Sequence, residues 1–272
     1  MSVDVDILRI QRQGLELLRR FSAFCGENGI RYFICGGTLL GAARDGGFIP
    51  WDDDVDVVVP RGDFRRLERL ATERPPDGVF WLGQANPEHA EPNVFWGKFC
   101  LEDCDIVDAH ASGGVAHRFG IDVLPLDELP ASRLSRWRQR FLSYYYRHLS
   151  SLLFGGTSSR HRGVKLVLRA ALAPFNTDAR AVAERFLAVA AIGEGSGSGW
   201  LDSLCGRYGY AHEQFPAEWF SSSVYLPFEG LSLPAAIGWR GMLEMAYGKD
   251  WPTPRRDVME KCHYILKGKE QT

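Results

Sequence analysis

The sequence predicts an α/β (α+β) fold in which helices flank a mixed sheet. Short apolar runs rich in β-branched and aromatic residues alternate with amphipathic stretches of helical period, which is typical of a sheet covered by helices. Residues 4–28 form the first such helix, and Asn28-Gly29 supplies its end. The run Ile30–Cys35 is the first predicted strand, because it is mostly apolar and stops at two glycines.

The same alternation continues along the chain. We expect a short helix over Thr38–Arg44, a strand over Asp54–Val59 and, after the turn at Pro60–Asp63, a helix over Phe64–Leu70. The later segments of strand character are Val79–Leu82, Val94–Leu101, Ile106–His110 and Gly120–Leu124. Two helices are expected after them, an amphipathic one over Arg133–Phe154 and an apolar one over Val164–Leu172, and residues 193–199 have the composition of a flexible linker.

Composition limits the classes of function. A chain of 272 residues with 45% hydrophobic residues can bury a sizeable core, and a net charge of −2 argues against a general nucleic-acid binder. No apolar run approaches the ~20 residues that span a bilayer. The acidic N-terminus lacks the pattern of a signal peptide, so we expect a cytoplasmic protein. The six scattered cysteines are expected to be free thiols.

The chain changes character after residue 130. Residues 131–170 hold nine basic residues and no acidic one, and aromatic residues recur among them at helical spacing. We therefore expect a catalytic core over 1–130 and a helical, aromatic-rich region over 131–272 that completes the site and the acceptor surface, together forming one compact unit. The basic 131–170 segment either contacts an anionic or lipid-linked acceptor at the inner membrane face or packs on the core through its aromatics.

The most informative stretch is GGTLLGAARDGGFIPWDDDVD at residues 36–56. It places four aspartates, Asp52, Asp53, Asp54 and Asp56, within five positions. Like charges at this range destabilise a folded surface. The crowding becomes favourable when divalent cations lie between the carboxylates, and Mg²⁺ usually combines one or two carboxylates with substrate phosphates. The stretch therefore predicts a metal and phosphate site.

Local geometry supports this interpretation. Gly36 and Gly37 would let the backbone approach a phosphate closely, and Thr38 stands near the N-terminus of the next helix, where anions bind. Side chains alternate along a strand, so Asp54 and Asp56 would face the same site. Asp52 shares their parity and is a further candidate ligand, whereas Asp53 is expected to face away.

The string GGTLLGAARDGGFIPWDDDVDV closely resembles the LicD family of phosphotransferases, within the nucleotidyltransferase superfamily. That family includes bacterial phosphocholine transferases and, more distantly, fukutin and the fukutin-related protein. Further segments resemble the family's motifs in the same order: residues 120–127 its IDIFPLD segment, residues 215–220 and 226–230 its FP-x-x-W and FEG elements, and residues 246–252 its YG-x-x-x-x-P end.

The resemblance implies a nucleotidyltransferase-like sheet and transfer of a substituted phosphate from a CDP-linked donor to a hydroxyl, with release of CMP. It implies Mg²⁺, with Mn²⁺ as an alternative, on the catalytic carboxylates Asp54, Asp56 and Asp122. Asp122 would be the third ligand or the general base, and a structural ion pair is the competing interpretation. The phosphate- and nucleotide-binding candidates are Gly36, Gly37, Thr38, Arg44 and Lys98, although Arg44 and Lys98 also fit ordinary surface cations. Trp51 and Glu229 would lie close to the site.

The resemblance leaves the acceptor open among cell-surface glycans or their lipid-linked precursors, including lipopolysaccharide, teichoic acid and capsule. Two other classes of function stay open. A true nucleotidyltransferase would transfer NMP from an NTP and release pyrophosphate with the same metal site. A non-catalytic glycan- or nucleotide-binding module would be expected to lack at least one of the three metal carboxylates, all of which are present here.

Overall fold

The computed structural model describes residues 3–86, 88–90, 94–108, 116–154, 178–206, 210, 213–254 and 264–266. The helices are α1 (Val3–Glu27), α2 (Gly36–Arg44), α3 (Arg61–Glu73), α4 (Arg133–Phe154), α5 (Ala179–Ala190) and α6 (Trp239–Tyr247). The strands are β1 (Phe33–Ile34), β2 (Asp56–Pro60), β3 (Val79–Leu82), β4 (Gly97–Asp108), β5 (Ala116–Glu128), β6 (Trp200–Asp202), β7 (Gln214–Pro216), β8 (Ser223–Phe228), β9 (Leu231–Ala236) and β10 (Tyr264–Leu266). The α/β class predicted from the sequence is confirmed.

The chain divides into two compact units. The first comprises Met1–Trp81, Lys98–Leu124 and Glu218–Thr272, and the second comprises Leu82–Gly97 and Pro125–Ala217. The predicted division into 1–130 and 131–272 concerns the site and its acceptor surface and stays a prediction. No helix among the described residues is both long enough and apolar enough to cross a bilayer.

The first unit is built on a sheet with the strand order β1-β2-β5-β4-β10, and β3 also pairs with β4. The helix α1 packs its apolar face into this unit, and its Phe21 is fully buried. The Phe21 ring contacts Tyr32 and Phe99 edge-on, with centroids 5.0 and 5.4 Å apart. Such edge-to-face pairs stabilise beyond the area that they bury. The sheet is thereby fixed against the helix that precedes the site.

A β-hairpin completes the described part of the first unit. The strands β8 and β9 pair antiparallel, and the last pair of the register is Phe228↔Leu231. This leaves Glu229-Gly230 as a two-residue turn, in which both residues have positive φ, 47° and 78°. Two positive φ values define the type I′ turn that suits the twist of a hairpin. The strand β9 packs near β1, and β8 packs near α2.

The second unit contains helices and a small sheet. The end of β5 pairs with β6, in the register Asp127↔Asp202, and β6 pairs with β7. The helix α4 packs against α5, and the ring of Phe95 stacks on Phe186 at 4.2 Å. Residues 193–199, predicted to be a flexible linker, are instead tied to β5, because the N–H groups of Gly195 and Ser198 donate to the Glu128 carboxylate at 2.8 and 3.0 Å.

Several predicted boundaries were wrong in ways that matter for the site. The strand expected from Asp54 begins at Asp56, so residues 52–55 precede β2 and have no regular secondary structure. The helix expected from Thr38 begins at Gly36. Most of the run Val94–Leu101 and the start of the run Ile106–His110 belong to one long strand, β4, which begins at Gly97 and ends at Asp108. The predicted helix Val164–Leu172 lies outside the described residues, as does Cys262, and the other five cysteines are free thiols.

The second unit also contains a buried glutamate with a raised pKa, Glu213, from which a prediction about stability follows. Burial raises the pKa of Glu213 to about 7, and the charge of Arg147 opposes this shift. The Oε2 atom of Glu213 is buried without a hydrogen-bond partner among the described residues. At pH values between the ordinary pKa of a glutamate and about 7, the folded chain therefore binds more protons than the unfolded chain. The free energy of unfolding consequently falls as the pH rises through this range.

Replacing Glu213 by Gln should therefore stabilise the protein at about pH 8, on the order of 1–3 kcal/mol, with a gain that shrinks as pH falls toward 5. The measurement is urea unfolding at a series of pH values, with the exposed Glu244→Gln as the matched control. A wild-type–variant difference that stays constant across this range would contradict the account.

Candidate active site

The pairing of β1 with β2 brings the start of α2 next to the start of β2. Ile34 faces Val57 in the antiparallel register, and the N–H of Cys35 donates to the carbonyl of Asp56 at 3.2 Å. The N–H of Asp56 in turn donates to the Thr38 hydroxyl at 3.0 Å. Thr38 is buried, so its hydroxyl fixes the first residue of β2 against the first turn of α2. Its predicted part in phosphate binding stays a prediction.

Two glycines allow carboxylates to approach the helix start. Gly36 has φ 54°, in the region that favours glycine, and a Cβ atom there would lie 3.0 Å from Oδ2 of Asp56. A Cβ atom on Gly37 would collide with the carboxylate of Asp52. Both carboxylates therefore lie against the first turn of α2, whose partial positive charge stabilises anions. The two glycines thus leave room for the carboxylates of Asp56 and Asp52. The phosphate binding predicted for the glycines stays a prediction.

The turn that leads into the aspartates is held by a residue that sequence analysis did not identify. The side-chain amide of Gln11, on α1, donates to the carbonyls of Ile49 and Asp52 at 3.1 and 2.9 Å. The N–H of Asp52 also donates to Ile49 at 2.9 Å, which closes the turn containing the half-buried Trp51. A single glutamine on an amphipathic helix has no sequence signal that separates it from a solvated residue.

The carboxylates of Asp52, Asp53 and Asp54 form one cluster. Each offers an oxygen, and these atoms all lie within 4.8 Å of one another. Asp53 is only 2% exposed. The expectation that Asp53 faces away was wrong, because the alternation of a strand does not apply to residues 52–55, which precede β2. Oxygen atoms at this spacing are the donor set that hard divalent cations prefer.

The half-buried Asp56 interacts electrostatically with several charged side chains around it. Burial raises the pKa of its carboxyl well above the ordinary value, and the charges of Asp54, Asp122 and Asp52 raise it further, in that order. Lys98 opposes this shift. The other two predicted metal carboxylates, Asp54 and Asp122, therefore lie close enough to act on Asp56, as does Asp52. Crowded carboxylates of this kind favour either a proton or a cation between them.

Asp122 is brought to the cluster by β5, since its N–H donates to the carbonyl of Val55 at 2.9 Å. Its Oδ1 forms an ion pair with the Nζ atom of Lys98 at 2.8 Å, and both side chains are half-buried. The ion pair considered as the competing interpretation of Asp122 is thus present, and it lies beside the aspartate cluster. One contact therefore joins the predicted base to the predicted phosphate-binding lysine.

Arg44 has a different partner from the one predicted. Its guanidinium makes three hydrogen bonds to the neighbouring Asp45 carboxylate, at 3.0, 3.1 and 2.7 Å. The arginine side chain is largely buried, at 10% exposure. Binding a phosphate would require the guanidinium to share or exchange this carboxylate, so the predicted role of Arg44 stays a prediction.

Glu229, at the tip of the β8–β9 hairpin, holds the same loop from another side. Its N–H donates to the carbonyl of Gly46 at 2.9 Å, and its carboxylate accepts from the N–H of Phe48 at 3.3 Å. A Cβ atom on Gly47 would collide with the Glu229 carboxylate, and the Phe48 ring contacts Phe228 edge-on at 4.8 Å. Glu229 therefore positions the loop that precedes the aspartates.

A glycine turn, a short helix and carboxylates at the start of the next strand form the arrangement of nucleotidyltransferase-superfamily proteins. Comparison with known families agrees, since residues 29–126 match the family described as LicD/FKTN/FKRP, nucleotidyltransferase domain. The resemblance drawn from the motifs is confirmed. Residues 29–126 are therefore similar to the nucleotidyltransferase domain of the LicD/FKTN/FKRP family.

Individual relatives share short stretches with the chain. The lipopolysaccharide cholinephosphotransferase LicD of Haemophilus influenzae is 50% identical over 53 residues, which are 20% of this chain and 20% of that protein. The ribitol 5-phosphate transferase FKRP of Homo sapiens is 52% identical over 42 residues, 15% of this chain and 8% of the relative. An uncharacterized protein of Rickettsia typhi is 42% identical over 87 residues, 32% of this chain and 26% of its own length. The matched stretches thus span a minor part of each relative.

The packing of α2 on the loop gives a prediction. Gly41 lies within α2, and a Cβ atom there would collide with the carbonyl oxygen of Gly47. Alanine normally favours a helix over glycine by about 1 kcal/mol, but here we expect Gly41→Ala to destabilise by about 1–3 kcal/mol. Gly62→Ala in α3 is the matched control, because a Cβ atom there would meet nothing within 4 Å. Urea unfolding measures both, and equal stability of the two variants would contradict the packing argument.

Proposed function

We propose that this protein transfers a substituted phosphate, of the phosphocholine or polyol-phosphate type, from a CDP-linked donor to a hydroxyl of a cell-surface glycan or its precursor, with release of CMP. The observation that carries the proposal is the gathering of Asp52, Asp54 and Asp122 around Asp56, with Asp52 and Asp56 lying against the N-terminus of α2. Two relatives support the reaction class, since their names describe a cholinephosphotransferase and a ribitol 5-phosphate transferase.

The residues present fit a divalent cation. Asp52, Asp53 and Asp54 offer carboxylate oxygens within 4.8 Å of one another. Burial, followed by the charges of Asp54, Asp122 and Asp52, raises the pKa of the adjacent Asp56. Oxygen donors of this kind suit Mg²⁺, with Mn²⁺ as an alternative. Asp54, Asp56 and Asp122 would hold the metal, with Asp52 beside them. When bound, the metal supplies charge neutralisation on the diphosphate and a fixed orientation for in-line attack.

The chain's own groups would bind the donor phosphates. The first N–H groups of a helix have no partner within the helix, and in α2 they belong to Gly36, Gly37 and Thr38. Together with the helix dipole they favour a phosphate at this end. The Lys98 ammonium has three N–H donors, so it can bind a phosphate oxygen while it keeps its contact with Asp122 at 2.8 Å.

Asp122 would act on the acceptor. Its carboxylate is oriented by Lys98, which contacts Oδ1, and it would take the proton of the attacking hydroxyl. Phosphoryl transfer requires little covalent chemistry from the protein, since positioning and charge dominate.

We further propose a glycan or lipid-linked glycan as the acceptor, such as lipopolysaccharide or teichoic acid. We also propose a cytoplasmic location, with no nucleic-acid partner.

A second function shares the same site. The matched family is described as a nucleotidyltransferase domain, which favours transfer of NMP from an NTP as the alternative reaction. The released product separates the two reactions, because phosphate-group transfer from a CDP-linked donor yields CMP and nucleotidyl transfer yields pyrophosphate. The experiment is a screen of CDP-choline, CDP-ethanolamine, CDP-glycerol, CDP-ribitol and the four NTPs, with Mg²⁺ and glycan acceptors, that follows both products.

Within that assay, Asp54→Asn and Asp56→Asn should each lower kcat by at least about 100-fold, because each removes a negatively charged ligand from the cluster without changing its size. The matched control is Asp103→Asn, a change at an exposed position of β4, which should retain wild-type turnover. Circular dichroism establishes that the variants fold. Near-normal turnover of either cluster variant would contradict the assignment of the metal ligands.

A further inference from the structure

The helix α4 presents a row of large apolar side chains outward, while its buried side chains include polar ones as well as Leu149. Its exposed side chains include large hydrophobic ones: Leu134 at 75% exposure, Trp137 at 65%, Phe141 at 56%, Tyr144 at 66% and Tyr145 at 48%. At 100° per residue these side chains fall within an arc of about 100°, so they form one continuous stripe. We call this set the α4 stripe. Surface hydrophobic residues are normal when scattered singly, but a contiguous stripe marks an interaction site.

Polar side chains occupy the opposite side of the helix. Gln139, Ser143 and Ser150 are all buried, and the Gln139 amide donates to the carbonyls of Val189 and Ala190 at 3.3 and 3.0 Å. These carbonyls lie at the end of α5, where the last helical carbonyls lack partners within the helix. Gln139 on the inward side of α4 thus provides hydrogen-bond donors for the carbonyls at the end of α5.

Two arginines fix the rotation of the helix further. The Nη1 atom of Arg147 donates to the carbonyls of Leu204 and Gly206, both at 2.8 Å, and Nε of Arg136 donates to the carbonyl of Pro130 at 2.6 Å. Rotating α4 to bury its aromatics would break these bonds and leave buried polar groups without partners, which is costly. The exposure of the α4 stripe is therefore a consequence of the fold. The sequence interpretation in which these aromatics pack on the core was wrong for the described residues.

The charged side chains that border the α4 stripe are all positive. The helix carries five arginines and no acidic residue. Arg133, Arg138 and Arg140 are exposed, and at helical spacing they lie along both edges of the stripe. Trp137 and Phe141 are stacked at 5.7 Å between them. Aromatic and leucine side chains bordered by arginines are the composition of helices that lie in the interface of anionic membranes.

We propose that the outer face of α4 binds the surface of an anionic lipid bilayer. The apolar rings of the α4 stripe enter the boundary between headgroups and acyl chains, and the arginines at its edges bind lipid phosphates. A second copy of the chain fits this face less well, because a two-fold contact would place the arginine-lined edges of both copies against each other. This proposal stands apart from the proposed reaction, since it depends on α4 alone.

The test is sedimentation of the full chain with vesicles of phosphatidylcholine, with and without phosphatidylglycerol. We expect binding to the anionic vesicles that weakens at high salt. Arg133→Gln/Arg138→Gln/Arg140→Gln should lower the partition coefficient by about 100-fold, and Trp137→Ser/Phe141→Ser by at least about tenfold. The matched controls, with exposed residues of the first unit, are Arg9→Gln/Arg12→Gln/Arg69→Gln and Leu8→Ser/Tyr225→Ser, and both should bind as the wild type does.

A second readout reports on the stripe directly. Vesicles should shift the tryptophan emission of the wild type to shorter wavelength, and Trp137→Phe should remove that shift while binding persists. Absence of binding to anionic vesicles would overturn the proposal, as would equal losses in the control variants. A wild-type dimer that dissociates in Trp137→Ser/Phe141→Ser without any vesicle binding would assign the face to a second copy. Binding to soluble glycans alone would likewise overturn it.

Discussion

The repulsion among the carboxylates that precede β2, begin it and lie on β5 is the constraint on which the rest of the first unit depends. Asp56 is half-buried beside Asp54, Asp122 and Asp52, so burial and charge both favour its protonated form. Such an arrangement destabilises a fold unless something compensates it. Part of the compensation is in the chain, since Lys98 pairs with Asp122 at 2.8 Å and the N-terminus of α2 lies against two of the carboxylates. In the proposed function a divalent cation adds to this compensation.

Several distant segments hold this strained cluster in place. Gln11 from α1 closes the turn before Asp52, and Glu229 from the β8–β9 hairpin holds the loop at Phe48. Gly41 lets α2 approach that loop closely. These contacts join residues that are far apart in sequence, and they make the aspartate segment, which has no regular structure of its own before Asp56, part of the packed unit. A segment held by many such contacts is ordered in advance, which reduces the free-energy cost of ordering it when a ligand binds.

The sequence predicts which residues gather at the candidate site better than it predicts their geometry. The residue types and spacing from Gly36 to Asp56 are sufficient to predict a cation and phosphate site, because few other structures tolerate so many carboxylates. The partners are harder to predict. The bond between Gln11 and Asp52 and the pairing of Arg44 with Asp45 depend on how separate elements pack. Asp53 was misplaced because a period-2 argument needs a strand, and β2 begins three residues later. The outward stripe of α4 was also ambiguous, since periodicity identifies an apolar face but not which side of the helix is buried.

The most direct test of this account is Mn²⁺ binding to the metal-free protein, followed by electron paramagnetic resonance across pH. The account predicts a site that Mg²⁺ competes for and that weakens as pH falls, because Asp56 must lose its proton to act as a ligand. It also predicts that Asp56→Asn loses most of this affinity. If the wild type binds no Mn²⁺ at about pH 8, or Asp56→Asn binds it equally well, the carboxylates do not form a cation site and the account is contradicted.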